Sequence, residues 1–109
     1  MKSTRYYSNR QEKQIAKALG GKQSSNSGAT PFQKGDVKTS VVLIEAKTTT
    51  SSKSSFSIKK DWLLKNKEEA FAMNRQYSAL AFNFGPDEEN YYIIDEKLFK
   101  KLINFLQEN

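Results

Sequence analysis

A mixed α/β or α+β fold, with a central sheet and helices packed on its faces, is the class this sequence predicts. Three observations lead there. A chain of 109 residues can bury a single core covering roughly two thirds of the surface its unfolded form exposes, so 1–109 reads as one domain. Hydrophobic periodicity runs in the order helix, two or three strands, helix, strand, strand, helix. No apolar run exceeds five or six residues, too short for a membrane span or a secretory h-region. A cytoplasmic protein without a membrane partner is expected.

The elements follow in order. Residues 1–8 are polar with two tyrosines and are expected to be frayed or loosely docked. A first helix follows, with Asn9 and Glu12 as a capping pair and Ile15, Ala16 and Leu19 as its apolar stripe. Gly20-Gly21 ends it. From Lys22 to Gln33 the composition predicts a loop or a short exposed strand. Residues 36–47 read as a tight hairpin turning at Lys38-Thr39-Ser40. Its second arm, 41–47, opens with four apolar residues, as a central strand buried on both faces would. Period two then places Val41, Leu43, Glu45 and Lys47 on one face and Val42, Ile44 and Ala46 on the other.

Residues 48–57 are mostly Ser and Thr, a composition that predicts a flexible, solvated loop. A second helix is expected over 58–74, capped by Ser57, with Ile58, Trp62, Ala70 and Met73 along one side and an Asp61–Lys65 pair. Strand 77–84 sets Leu80, Phe82 and Phe84 against small Ala79 and Ala81, which would let a helix pack close. A turn at Gly85-Pro86-Asp87 and a short strand 91–94 lead to a last helix capped by Asp95. That helix carries a wide apolar face, Leu98, Leu102 and Phe105 beside Phe99, Ile103 and Leu106, whose plainest use is core packing.

Composition removes whole classes of chemistry. With no Cys and no His there is no disulfide framework, zinc site, thiol nucleophile or His-based triad. Any metal must be a hard cation held by oxygen. The net charge of +6 is unevenly spread: residues 1–60 hold twelve basic and three acidic residues, a local balance of +9. Residues 61–109 hold six basic and nine acidic residues, a balance of −3. A basic half beside a mixed half suits a polyanionic partner, with solubility as the plainer alternative. The three acids in the basic half are Glu12, Asp36 and Glu45. Isolated carboxylates weaken phosphate binding unless a cation sits between them and the ligand.

Eight Glu and fifteen Lys produce about one E-x-K tripeptide by chance, so Glu45-Ala46-Lys47 has no meaning alone. Its context adds weight. It closes a buried strand, the hairpin brings Asp36 onto the neighbouring strand, and Lys34-Gly35 precedes that Asp. Acids at adjacent strand ends with a lysine beside one can hold a divalent metal and position a water. The plainer reading is a surface Glu–Lys pair at a strand edge.

Gly35-Asp36, a short hairpin and a strand ending Glu45-Ala46-Lys47 resemble the PD-(D/E)XK nuclease signature, with Gly35 where the name has Pro. The layout is similar to small Holliday junction resolvases of the archaeal and phage type. Glu12 in a first helix, Ser27-Gly28-Ala29, Asp36, Glu45 and Lys47 stand in the family's order, and the stretch 55–63 looks like phage and prophage relatives. The resemblance covers roughly residues 9–84.

It implies a restriction-endonuclease-like core, a prokaryotic or phage origin, and hydrolysis of branched DNA in recombination or repair. Asp36, Glu45 and the backbone carbonyl of Ala46 would bind Mg²⁺ or Mn²⁺, and Lys47 would orient or activate the attacking water. Glu12 would complete the metal site, or else keep its capping role. Ser27 would lie near the scissile phosphate. Arg10, Lys34, Lys53, Ser57, Lys59 and Lys60 would hold DNA, the last of these around a helix N-terminus suited to a phosphate. A four-way junction takes two symmetric cuts, so a homodimer is the simple arrangement, through either the last helix or the aromatic strand 77–84. Two alternatives stay open: a nicking, flap or restriction-type nuclease of the same superfamily, and a non-catalytic basic nucleic-acid-binding module.

Overall fold

The computed structural model describes residues 2–23 and 36–108. They form α1 (Thr4–Leu19), β1 (Lys22–Gln23), β2 (Asp36–Lys38), β3 (Val42–Lys47), α2 (Lys60–Ala72), β4 (Tyr77–Phe82), β5 (Tyr91–Ile93) and α3 (Glu96–Glu108). The strands make one mixed sheet in the order β1-β2-β3-β4-β5, antiparallel except for the parallel β3–β4 pair. The α+β class with a central mixed sheet is therefore what forms.

Helix α1 begins earlier than expected. Ser3 is extended, and its Oγ accepts the Tyr6 N–H at 3.2 Å, so Ser3 is the cap. The Asn9–Glu12 capping pair is thereby overturned, along with the frayed start, because both residues lie inside the helix. At the other end Gly20 takes the left-handed conformation (φ 68°) and the Gly21 N–H bonds the Ala16 carbonyl at 2.9 Å. A Cβ on Gly21 would stand 2.9 Å from the Lys38 carbonyl oxygen. The second glycine therefore serves the return of the chain onto β2.

The β2–β3 hairpin turns at 39–41, where Thr39 Oγ1 accepts the N–H groups of Val41 and Val42 at 3.2 and 3.0 Å. Strand β3 is central, and Leu43 and Ile44, pointing to opposite faces, are both fully buried. From β3 the chain crosses through α2 to β4, the connection a parallel pair needs. One face of the sheet, built from Val37, Ile44, Ala79 and Ala81, receives Ile15 of α1. Ala79 and Ala81 of β4 are buried in that same cluster. The other face, with Leu43 and Leu80, lies under α2.

Helix α2 starts at Lys60 and ends at Ala72. Ser57 does not cap it: Lys59 holds the N-cap position and no side chain bonds there, which corrects the expectation. Asn74, with φ 57°, breaks the helix in the left-handed region that Asn tolerates. The Asp61–Lys65 pair forms at 3.1 Å. Strand β4 stops at Phe82 rather than 84, and beyond it Asn83 Oδ1 accepts from Thr49 Oγ1 at 2.6 Å.

That bond belongs to a larger correction. The Ser/Thr-rich segment 48–57 is solvated over 50–55 as expected, but it is anchored to the fold at Thr48, Thr49, Lys53 and Phe56 rather than loose. Thr48 Oγ1 bonds Gln11 Oε1 at 2.9 Å, the Lys53 N–H bonds the Phe84 carbonyl at 2.7 Å, and Phe56 stacks on Phe82 at 5.0 Å between ring centroids.

Asp95 caps α3 as expected, its Oδ1 accepting the Leu98 N–H at 2.9 Å. The apolar face of α3 is not core, however: no α3 residue is buried. Both faces of the sheet already carry a helix, so the third has none to cover. No described helix is long and apolar enough to cross a membrane.

Candidate active site

Hairpin register places Asp36 directly across from Glu45 on adjacent strands. Glu45 and Lys47 are two residues apart on β3, so both side chains leave on the face that α2 covers. Between them, Ala46 sends its methyl the other way, onto the core under α1. Only its carbonyl is left to serve the site.

Lys47 is held from two sides. Its Nζ stands 3.7 Å from Glu45 Oε2 and 4.2 Å over the ring of Trp62, on the first turn of α2. The indole face is negative, so it supports the ammonium where water is scarce. The Lys59 ammonium reaches the same ring at 5.8 Å.

Asp36 is the unusual residue. It is 1% exposed, and among the described residues neither carboxylate oxygen has a hydrogen-bond partner. Glu45 Oε2, Glu69 Oε2 and Asn66 Oδ1 are also buried without a hydrogen bond among the described residues, although Glu45 Oε2 keeps its ion pair with Lys47 Nζ at 3.7 Å. Every one of these orphans is an acceptor; among the described residues no buried side-chain donor is left over. Native proteins rarely bury acceptors uncompensated.

The electrostatics follow from that geometry. Burial first, then the charges of Glu69, Glu45 and Glu12, push the Asp36 carboxyl up to about 8, with Lys47 pulling weakly the other way. Burial also raises Glu45, opposed by Lys47. Glu69 is raised by burial and by Glu45. Burial raises Glu12, opposed by a bond from Gln23 Nε2 to its Oε1 at 3.2 Å.

Unpartnered carboxylate and amide oxygens are the donors a hard divalent cation takes, so the chemistry of the set fits Mg²⁺ or Mn²⁺. As the side chains stand, no three described carboxylates are gathered closely enough to grip one ion. Side-chain rotation would have to draw them in.

The other expected site residues are scattered. Glu12 is buried on α1, the helix of the opposite face, and acts on Asp36 through space. Arg10 is exposed, is paired with Asp87 and also bonds Tyr6 Oη at 3.4 Å. Lys53, Ser57, Lys59 and Lys60 are exposed around the start of α2, open to a long anion. Ser27 and Lys34 lie outside the described residues. The aromatic strand 77–84, one candidate interface, is β4 inside the sheet, and its Phe82 and Phe84 pack on Tyr91.

Two neighbours of the site escape a reading by sequence: Trp62 and Glu69. They are seven residues apart on α2 and so share one face. An acid in line with a core tryptophan was the available signal. A groove of about 400 Å³ between the end of α2 and the start of α3, lined among others by Lys67, Phe71, Arg75, Asp95 and Lys101, is separate from these carboxylates. Comparison of the chain with protein-family models, curated proteins and solved structures finds no match.

Proposed function

We propose that the protein is a metal-dependent endonuclease of the PD-(D/E)XK type that hydrolyses phosphodiester bonds in branched DNA. One observation carries the reading: a fully buried Asp36 with both oxygens unpartnered stands across from Glu45, beside a lysine held in place by an indole. A protein that only bound nucleic acid would have no use for buried, uncompensated carboxylates under a basic surface, which disfavours the non-catalytic alternative. The element order also supports a restriction-endonuclease-like core: a helix, an antiparallel hairpin carrying the acids, then a helical crossover to a parallel strand.

Asp36 and Glu45, with the Ala46 carbonyl, would hold Mg²⁺ or Mn²⁺, which when bound supplies a Lewis acid at the scissile phosphate and a water of lowered pKa. Lys47 orients that water and offsets charge developing on the phosphate oxygens. Lys53, Lys59 and Lys60 hold the flanking backbone. The apolar face of α3, where Leu102 is 45% and Leu106 68% exposed, supports a homodimer that makes two symmetric cuts.

Labelled four-way junction, linear duplex and single strand, each with Mg²⁺ or EDTA, test the reading. Cutting of the junction with Mg²⁺ alone is expected. Equal cutting of linear duplex would move the assignment to another nuclease type. Binding without any cutting would leave only a nucleic-acid-binding module.

A further inference from the structure

The carboxylate set has three strand and α1 members, and the question is which third group completes a site around Asp36 and Glu45. Glu12 is accounted for: its Oε1 receives the Gln23 amide at 3.2 Å, on the helix of the far face. Glu69 is not, since its Oε2 is buried and without a hydrogen-bond partner. It extends from α2, the helix packed against β3 and β4, on the same face as Trp62, whose ring lies over Lys47. Asn66, three residues before Glu69 and buried, donates its amide to the Ala79 carbonyl at 2.9 Å, which fixes that stretch of α2 against the sheet. We infer that Glu69 is a metal-site residue, closing from α2 onto the ion that Asp36 and Glu45 hold from the sheet, with Glu12 in a supporting position. This rests on the metal-dependent reading above.

Several features agree. Three of the five unpartnered buried acceptors are Asp36 Oδ1 and Oδ2 and Glu45 Oε2, and Glu69 Oε2 joins them. Among the charges acting on Asp36, Glu69 ranks ahead of Glu45 even though Glu45 is the register partner. In return, Glu45 is the charge that pushes Glu69 up. A ligand from α2 would also couple the crossover helix to the ion, so that metal binding tightens α2 on the sheet and with it the indole over Lys47.

The protein carries its own reporter, because Trp62 is its single tryptophan. Mn²⁺ titrations of the full chain, read by Trp62 fluorescence and by loss of the free-Mn²⁺ electron paramagnetic resonance signal, would compare wild type, Glu69→Gln, Glu69→Ala and Glu12→Gln. Thermal unfolding confirms that each variant is folded. Both Glu69 variants are expected to weaken Mn²⁺ binding at least roughly tenfold, and Glu12→Gln much less. Wild-type affinity in both Glu69 variants, or a larger loss in Glu12→Gln than in either, would overturn the assignment of Glu69 and leave the metal-dependent reading intact. A wild type that takes up no Mn²⁺ would overturn both.

Discussion

At the scale of single residues, Asp36 concentrates the electrostatic cost of this fold. A carboxyl with almost no exposure, no hydrogen-bond donor and three neighbouring acids is held up to about 8. Because its folded-state pKa lies above the ordinary value, the folded protein keeps a proton there that the unfolded chain has released. Its stabilising contribution is full below about pH 4 and is lost as pH rises toward 8. Asp36→Asn removes the charge, so in EDTA it is expected to exceed the wild type in stability by about 1–3 kcal/mol near pH 8. Near about pH 5 that gap should narrow. Thermal melts at the two pH values check this; a gap independent of pH would mean Asp36 does not titrate as described. That Glu45 and Lys47 share a face, with Asp36 on the neighbouring strand, was legible in the sequence from strand periodicity and the hairpin. The burial of Glu69 Oε2 was not, since it depends on how α2 packs over the sheet, which no local pattern encodes.

Among the elements, legibility followed how local each cause is. The hairpin, the double-glycine stop and the Asp95 cap depend on neighbours in sequence, and all formed, the hairpin turn one residue later than expected. The start of α1 did not. Ser3 and Asn9 are both good caps, and the earlier one wins because the intervening residues can stay helical. Segment 48–57 was misjudged for a different reason: its anchors are Gln11, Asn83 and Phe82, distant in sequence and visible only once folded. Helix α3 shows the opposite failure, an apolar face read as core and left outside by a sheet already covered on both sides. If that face joins two copies, Leu102→Glu combined with Leu106→Glu should convert dimer to monomer in sedimentation. The stability of each protomer should change by no more than about 0.5 kcal/mol per site, as for other exposed positions. A monomeric wild type would exclude α3 as the interface.

For the molecule as a whole, charge and architecture agree. The basic excess lies in residues 1–60, the half that also supplies Glu12, Asp36 and Glu45, while α1 and α2 pack on opposite faces of the sheet and Asp36 is 1% exposed. With neither His nor Cys in the chain, the proposed hydrolysis rests on these carboxylates and one lysine. The most direct measurement is the single-turnover rate of four-way junction cleavage with Mg²⁺ for the wild type, Asp36→Asn and Lys47→Ala, with junction affinity measured alongside. Both variants are expected to bind the junction and to lose roughly 10²–10⁴-fold in rate. Cutting by Asp36→Asn at the wild-type rate would contradict the account.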